Sequence, residues 1–116
     1  MSSDKDSVSI SVVVPVFNEE ATLGELIRRL TAVMDGLSRS HEILLVDDGS
    51  SDATPSIIEE ASNKTVSRIV GVFLNRNYGQ HAAVMAGFAQ SRGEVVVTLD
   101  ADLQNPPEEI PKLVAK

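Results

Sequence analysis

Glu94-Val95-Val96-Val97-Thr98-Leu99-Asp100-Ala101-Asp102-Leu103-Gln104 runs from a short, β-branched apolar segment straight into two carboxylates one residue apart. The first part reads as a buried strand. Asn105-Pro106-Pro107-Glu108-Glu109 follows and reads as a helix start, with proline and acids in its first turn. In extended backbone, residues i and i+2 point the same way. Asp100 and Asp102 are therefore expected to face one small volume, with Gln104 next in line. At about 5 Å and an effective dielectric of about 20, two such charges repel by about 3 kcal/mol. A shared proton or a divalent cation relieves that repulsion. Hard oxygen ligands suit Mg²⁺ or Mn²⁺, which take one or two carboxylates and fill their shells with water and phosphate oxygens. The same residues also make a plain turn and helix cap. An EF-hand fits less well, because Asn105 and Pro111 stand where its loop needs Gly and Glu.

Working outward, strands and helices alternate along the whole chain. Val8 to Val14 is a β-rich run closed by Pro15. Glu19 to Leu37 carries Leu23, Leu26, Ile27, Leu30, Met34 and Leu37 at helical spacing. Ile43 to Val46 is a second strand, and Thr54 to Ser62 a second helix with Pro55 in its first turn and Ser51 or Asp52 as cap. Ile69 to Leu74 is a third strand, followed by a small-residue helix from Gln80 to Gln90; the fourth strand is Val95 to Leu99. This order predicts an α/β fold, a Rossmann-like parallel sheet with right-handed crossovers and helices on both faces. The continuous apolar strands predict burial on both sides.

A chain of 116 residues is the size of one domain, and 42% hydrophobic content supplies a core, aliphatic because only 3% is aromatic. The net charge of −7 leaves no basic face for nucleic acid or an anionic membrane surface. The absence of cysteine excludes disulfides, zinc thiolates and a thiol nucleophile. Residues 1–7 are polar and read as a disordered tail rather than a signal peptide, leaving 8–116 as the folded unit. No run is long enough to span a bilayer. Pro107 to Lys116 reads as a helix still running, so the sequence is expected to be the front part of a longer protein.

In parallel sheets, ligands bind beyond the carboxyl ends of the strands. Four exit loops would meet there: Pro15-Val16-Phe17-Asn18-Glu19, Asp47-Asp48-Gly49-Ser50, Asn75-Arg76-Asn77-Tyr78-Gly79, and the Asp100 turn. Polar groups gather in these loops while the strands are nearly bare of them. Neither a dinucleotide fingerprint nor a P-loop is present. Asp47 and Asp48 read either as a turn and cap or as acceptors for a nucleobase N–H or a ribose hydroxyl. Asn18 and Glu19 read as cap and first-turn acid of the helix they precede. Arg76 either pairs with the acids or binds phosphate, and Tyr78 packs. His41 reads as a solvated residue at a strand start; His81 either caps its helix or lines the pocket.

Ser11-Val-Val-Val-Pro-Val-Phe-Asn-Glu-Glu20, Leu45-Val-Asp-Asp-Gly-Ser-Ser-Asp52 and Asp100-Ala-Asp-Leu-Gln-Asn-Pro-Pro107, with Leu74-Asn-Arg-Asn-Tyr-Gly-Gln-His-Ala-Ala83, resemble family 2 glycosyltransferases of GT-A fold, polyprenyl-phosphate sugar transferase type. The resemblance covers nearly everything from Val8 onward. It implies the nucleotide-binding half of a GT-A domain and metal-dependent, inverting transfer of a sugar from a nucleotide-sugar, UDP favoured, to a polyprenyl phosphate such as undecaprenyl phosphate. It implies that Pro15, Phe17 and Glu19 line the nucleotide pocket, that Asp48 meets the base with Asp47 beside it, and that Asp100 lies at ribose and metal. Asp102 would ligate Mg²⁺ or Mn²⁺ with Gln104 nearby. Asp100 and Asp102 are thus the expected catalytic residues, and Arg76 is counted with the nucleotide-binding set. The resemblance further implies an acceptor half and membrane-anchoring helices beyond this stretch, at the cytoplasmic face of an inner membrane. Runner-up readings are a GDP-mannose-using dolichol-phosphate mannose synthase-like transferase, a nucleotidyltransferase, a receiver-like signalling domain, and a non-catalytic nucleotide- or metal-binding module.

Overall fold

The structure, a computed structural model, describes residues 8–64, 68–101 and 106–114. The expected tail, Asp102 and Gln104 lie outside the described residues. Four strands, β1 (Val8–Val16), β2 (His41–Asp47), β3 (Ile69–Phe73) and β4 (Gly93–Thr98), form one parallel sheet in the order β3-β2-β1-β4. Helices α1 (Leu23–Gly36), α2 (Thr54–Lys64) and α3 (Gln80–Gln90) connect them; a 3₁₀ turn (Pro107–Glu109) leads into α4 (Ile110–Val114).

Alternation along β1 distributes the core. Ile10, Val12, Val14 and Val16 face α1, α2 and α4, meeting Leu26, Leu30, Met34, Ile58 and Ile110. Val13, with Leu44 and Val46 of β2, faces α3 and meets Ala83. The apolar stripe of α1 is the predicted one: Leu23, Leu26, Ile27, Leu30 and Met34 are all buried. The small residues of α3 serve close approach. A Cβ on Gly87 would stand 2.4 Å from Cγ1 of Val13, so this helix lies almost on the sheet.

Several boundaries and two burial expectations differ. β1 runs through Pro15 to Val16 rather than stopping at the proline. Residues of a strand alternate in which neighbour they bond, and Val13 bonds toward β4 through its carbonyl to the Leu99 N–H. Pro15 therefore presents its missing N–H to the β4 side, beyond the last pair Val13↔Thr98. α1 starts at Leu23 instead of Glu19, because the Glu19 carbonyl accepts the Thr22 and Leu23 amides and the preceding residues bond across to the next loop. β4 is not buried on both faces: it is a sheet edge, with Val95 and Val96 38% and 39% exposed. His41 is not solvated either. Its side chain is 12% exposed, with Nδ1 2.9 Å from the Arg39 carbonyl and Nε2 3.6 Å from Asp35.

A buried polar network closes the end of the sheet where the strands begin. Glu42 accepts hydrogen bonds from the Ser11 hydroxyl and the Arg92 backbone N–H, both at 2.7 Å, and Ser11 Oγ accepts the Gly93 N–H at 2.8 Å. This pins the start of β4 to β1 and β2. The buried side chains of this network, Ser11 and Glu42, each have partners, as burial of polar groups demands.

Candidate functional site

All four strands point the same way, so their exits share one edge. Chain order moves from β1 outward through β2 and β3, then returns to β4 on the other side of β1. The switch point lies between β1 and β4. A cleft of about 300 Å³ opens there. Pro15, Val16 and Phe17 from the end of β1 form one wall and Asp100 with Ala101 another; Glu19, Asp48, Asn77, Gly79 and Gln80 complete it. Of the expected set, Pro15, Phe17, Glu19, Asp48 and Asp100 come together at this cleft. Asp47 and Arg76 are not among its lining residues.

The first two exit loops are zipped side by side. The Asn18 N–H donates to Ser50 Oγ at 2.8 Å, and Asn18 Oδ1 accepts the Ser51 N–H at 2.9 Å. The Glu19 N–H donates to Thr54 Oγ1 at 2.9 Å, and Glu20 Oε1 accepts the Ala53 N–H at 2.9 Å. Asp52 Oδ1 accepts the Thr54 N–H at 2.9 Å, as expected of a cap for α2. Asn18 and Glu20 thus serve the start of α2, not α1; Asn18 holds a positive φ of 51° to make the crossing. Sequence reasoning had no access to this exchange, since the partners are more than thirty residues apart.

Asp48 is the hub of the second and third loops. It is 4% exposed, and its two carboxylate oxygens accept the backbone N–H groups of Tyr78 at 2.8 Å and Gly79 at 3.0 Å. A carboxylate has about four acceptor positions, so two remain after these bonds. Asp47, 2% exposed, accepts a long bond from the Ser50 N–H at 3.3 Å and closes its own turn. Gly49 lies against the third loop with a φ of 74°; a Cβ there would stand 2.3 Å from the carbonyl carbon of Arg76.

Arg76 does not pair with the acids in any ion pair of the described residues; its guanidinium lies 5.2 Å from the centroid of the Tyr78 ring. The Tyr78 hydroxyl donates to Asn75 Oδ1 at 2.7 Å, so this tyrosine braces its own loop. His81 is exposed in the first turn of α3 and does not line the cleft. Asp100 Oδ1 accepts a hydrogen bond from Gln80 Nε2 at 3.0 Å. Gln80 and Asn77 are cleft residues that the sequence reading passed over. The available signal was their position, polar side chains in the loop and first turn after a strand.

The charged residues lining the cleft are Glu19, Asp48 and Asp100, with no Lys or Arg among them. No group of three or more His, Cys, Asp or Glu able to hold a metal occurs among the described residues. Asp100 is a cleft carboxylate that accepts a hydrogen bond from one neutral side-chain amide, that of Gln80. That chemistry suits a cation taking one or two protein carboxylates and completing its shell with ligand oxygens and water.

This parallel α/β sheet, with acids at its switch point, has the fold of GT-A glycosyltransferases, to whose solved structures it is similar. The chain belongs to Glycosyl transferase family 2, whose family model matches residues 11–116. It is 59% identical over 107 residues to the undecaprenyl-phosphate 4-deoxy-4-formamido-L-arabinose transferase of Salmonella paratyphi A, covering 92% of this chain and 33% of the relative. The chain therefore spans about a third of the length of the curated relatives it matches. Among solved structures, S. aureus TarS 1-349 is similar with a TM-score of 0.76 at 28% identity, over 93% of this chain and 31% of that one. Glucosyl-3-phosphoglycerate synthase from Mycobacterium tuberculosis, in complex with Mn²⁺, UDP and glucosyl-3-phosphoglycerate, is similar with a TM-score of 0.69 at 34% identity, over 96% of this chain and 40% of that one.

Proposed function

We infer that the chain is the donor-binding part of a metal-dependent, inverting glycosyltransferase that moves a sugar from a UDP-sugar to a polyprenyl phosphate, undecaprenyl phosphate foremost. The observation that carries the reading is the 59% identity, over 107 residues and 92% of this chain, to an undecaprenyl-phosphate 4-deoxy-4-formamido-L-arabinose transferase. The 4-deoxy-4-formamido-L-arabinose donor is the sugar this likeness favours. The UDP complexes of TarS and of the phosphoglycerate synthase support uridine over guanosine.

Chemistry divides among the loops. Pro15 and Phe17 give the base an apolar wall. Asp48, fixed by the Tyr78 and Gly79 amides, offers its remaining lone pairs to the uracil N3–H, with Asp47 holding the turn behind it. Glu19 completes the nucleotide pocket, and Asp100 takes the ribose hydroxyls and the cation side. Asp102 and Gln104 complete the ligand set, and Arg76 at the rim meets the phosphates from outside the cleft lining. With three carboxylates and no cation in the lining, a diphosphate is repelled unless a divalent metal accompanies it. Mg²⁺ or Mn²⁺ there supplies Lewis-acid stabilisation of the leaving diphosphate. The lipid-phosphate acceptor is already ionised, which lightens the demand for a strong general base. No helix among the described residues is long and apolar enough to cross a membrane. Membrane association at the cytoplasmic face belongs to the rest of the longer protein.

The test is an NMR titration of the chain with UDP, with and without Mg²⁺. Expected are shifts of the Asp48, Asn77 and Asp100 backbone amides that require the metal. Equal shifts without metal would remove the cation from the reading. A response to GDP and not to UDP would favour a GDP-sugar donor.

A further inference from the structure

The structure assigns Gln80 a task that rests on the function just proposed: it is the positioning residue for the Asp100 carboxylate. Three observations converge. Gln80 Nε2 donates to Asp100 Oδ1 at 3.0 Å, linking the first residue of α3 to the exit of β4. Both residues line the cleft. α3 itself packs closely on the sheet at Gly87, about two turns along the helix from Gln80.

The residue type matters. A carboxylate at the end of an edge strand rotates freely about its side-chain torsions unless something holds it. A Lys or Arg would hold it but also neutralise it, weakening its hold on a cation or on ribose hydroxyls. An amide fixes one oxygen by a neutral donor and leaves the full negative charge in place. Among the described residues Oδ2 accepts no hydrogen bond, which leaves its acceptor positions to the donor side. Partners of this kind, which orient a ligating side chain without touching the metal, typically change metal affinity by 10–100-fold when removed.

Gln80→Met tests this, because it keeps length and helix propensity while deleting the donor. Mn²⁺ binding in the presence of UDP is read from the loss of the free-ion EPR signal. About tenfold weaker Mn²⁺ binding is expected, with an unchanged melting temperature. Gln80→Asn, too short to reach, should behave like Gln80→Met. A Mn²⁺ affinity within twofold of the parent in both variants would overturn the assignment.

A metal-free measurement separates this inference from the functional reading. In the ligand-free chain the Gln80 side-chain NH₂ resonances should move on Asp100→Ala. If they do not, the hydrogen bond does not form in solution and the assignment fails, whatever the chain binds. If they do move but the parent chain takes up no Mn²⁺ with UDP, the donor-site reading fails, and the positioning role falls with it.

Discussion

Asp48 and Gly49 show how two adjacent residues build a loop contact that neither specifies alone. The carboxylate accepts two consecutive amides of the third exit loop, and the glycine lets that loop come within 2.3 Å of where a side chain would begin. Both constraints act on Gly49, since its φ of 74° also disfavours a Cβ. Gly49→Ala is expected to cost about 1–3 kcal/mol, seen as a lower urea midpoint at unchanged slope. A loss under about 0.5 kcal/mol, the scale of an ordinary surface change, would show that the loops are not in this contact. The acids at this position were legible from sequence as coming straight off a strand. That two of their acceptor positions are taken by protein amides was not, because Tyr78 lies thirty residues away.

At the scale of elements, Arg29 of α1 grips Glu108 in the 3₁₀ turn through Nε at 3.0 Å and through a second, shorter bond from Nη2. The sequence offers Glu108 only as a first-turn acid; the fold turns it into the tie between the last described segment and the core layer. The hydrogen bonds from Arg29, then the turn's own backbone amide, lower the Glu108 carboxyl from its usual 4.5 to about 2. A depressed carboxylate stabilises the fold fully above its unfolded value and loses that contribution as pH falls toward the folded one. The tie should therefore hold above about pH 5 and loosen between about pH 4.5 and pH 2. Amide exchange of Ile110 and Leu113 followed through that window checks this. Arg29→Met should remove most of the pH dependence, leaving the part due to the turn's own amide, and since the pair is exposed, added salt should blunt it.

For the molecule as a whole, the sheet is asymmetric. Its two central strands are buried, while β4 ends the sheet with Val95 and Val96 exposed on opposite faces. Such an edge is a template for pairing with another strand. Val96→Lys is expected to leave thermal stability nearly unchanged and to suppress concentration-dependent association in sedimentation velocity. An unaltered profile would mean that the edge does not mediate association. The same edge carries Asp100 at its end, which is why a bond from α3 to that carboxylate matters for the geometry of the site.

Periodicity and strand-end punctuation were sufficient for the parallel α/β architecture, the α1 stripe and the placing of a polar cleft at the strand exits. These are local signals: period 2 against 3.6, and polar residues where apolar runs stop. What the tertiary structure alone decided was every relation between distant segments. Strand order made β4 an edge although its Val95-Val96-Val97 run is as apolar as Val12-Val13-Val14 of β1, because burial depends on neighbours and not on composition alone. Asn18 and Glu20 bond into the α2 loop rather than capping the helix beside them, and Gln80 meets Asp100 across twenty residues. A hydrogen bond needs two groups within about 3 Å, and only the folded chain determines which groups those are.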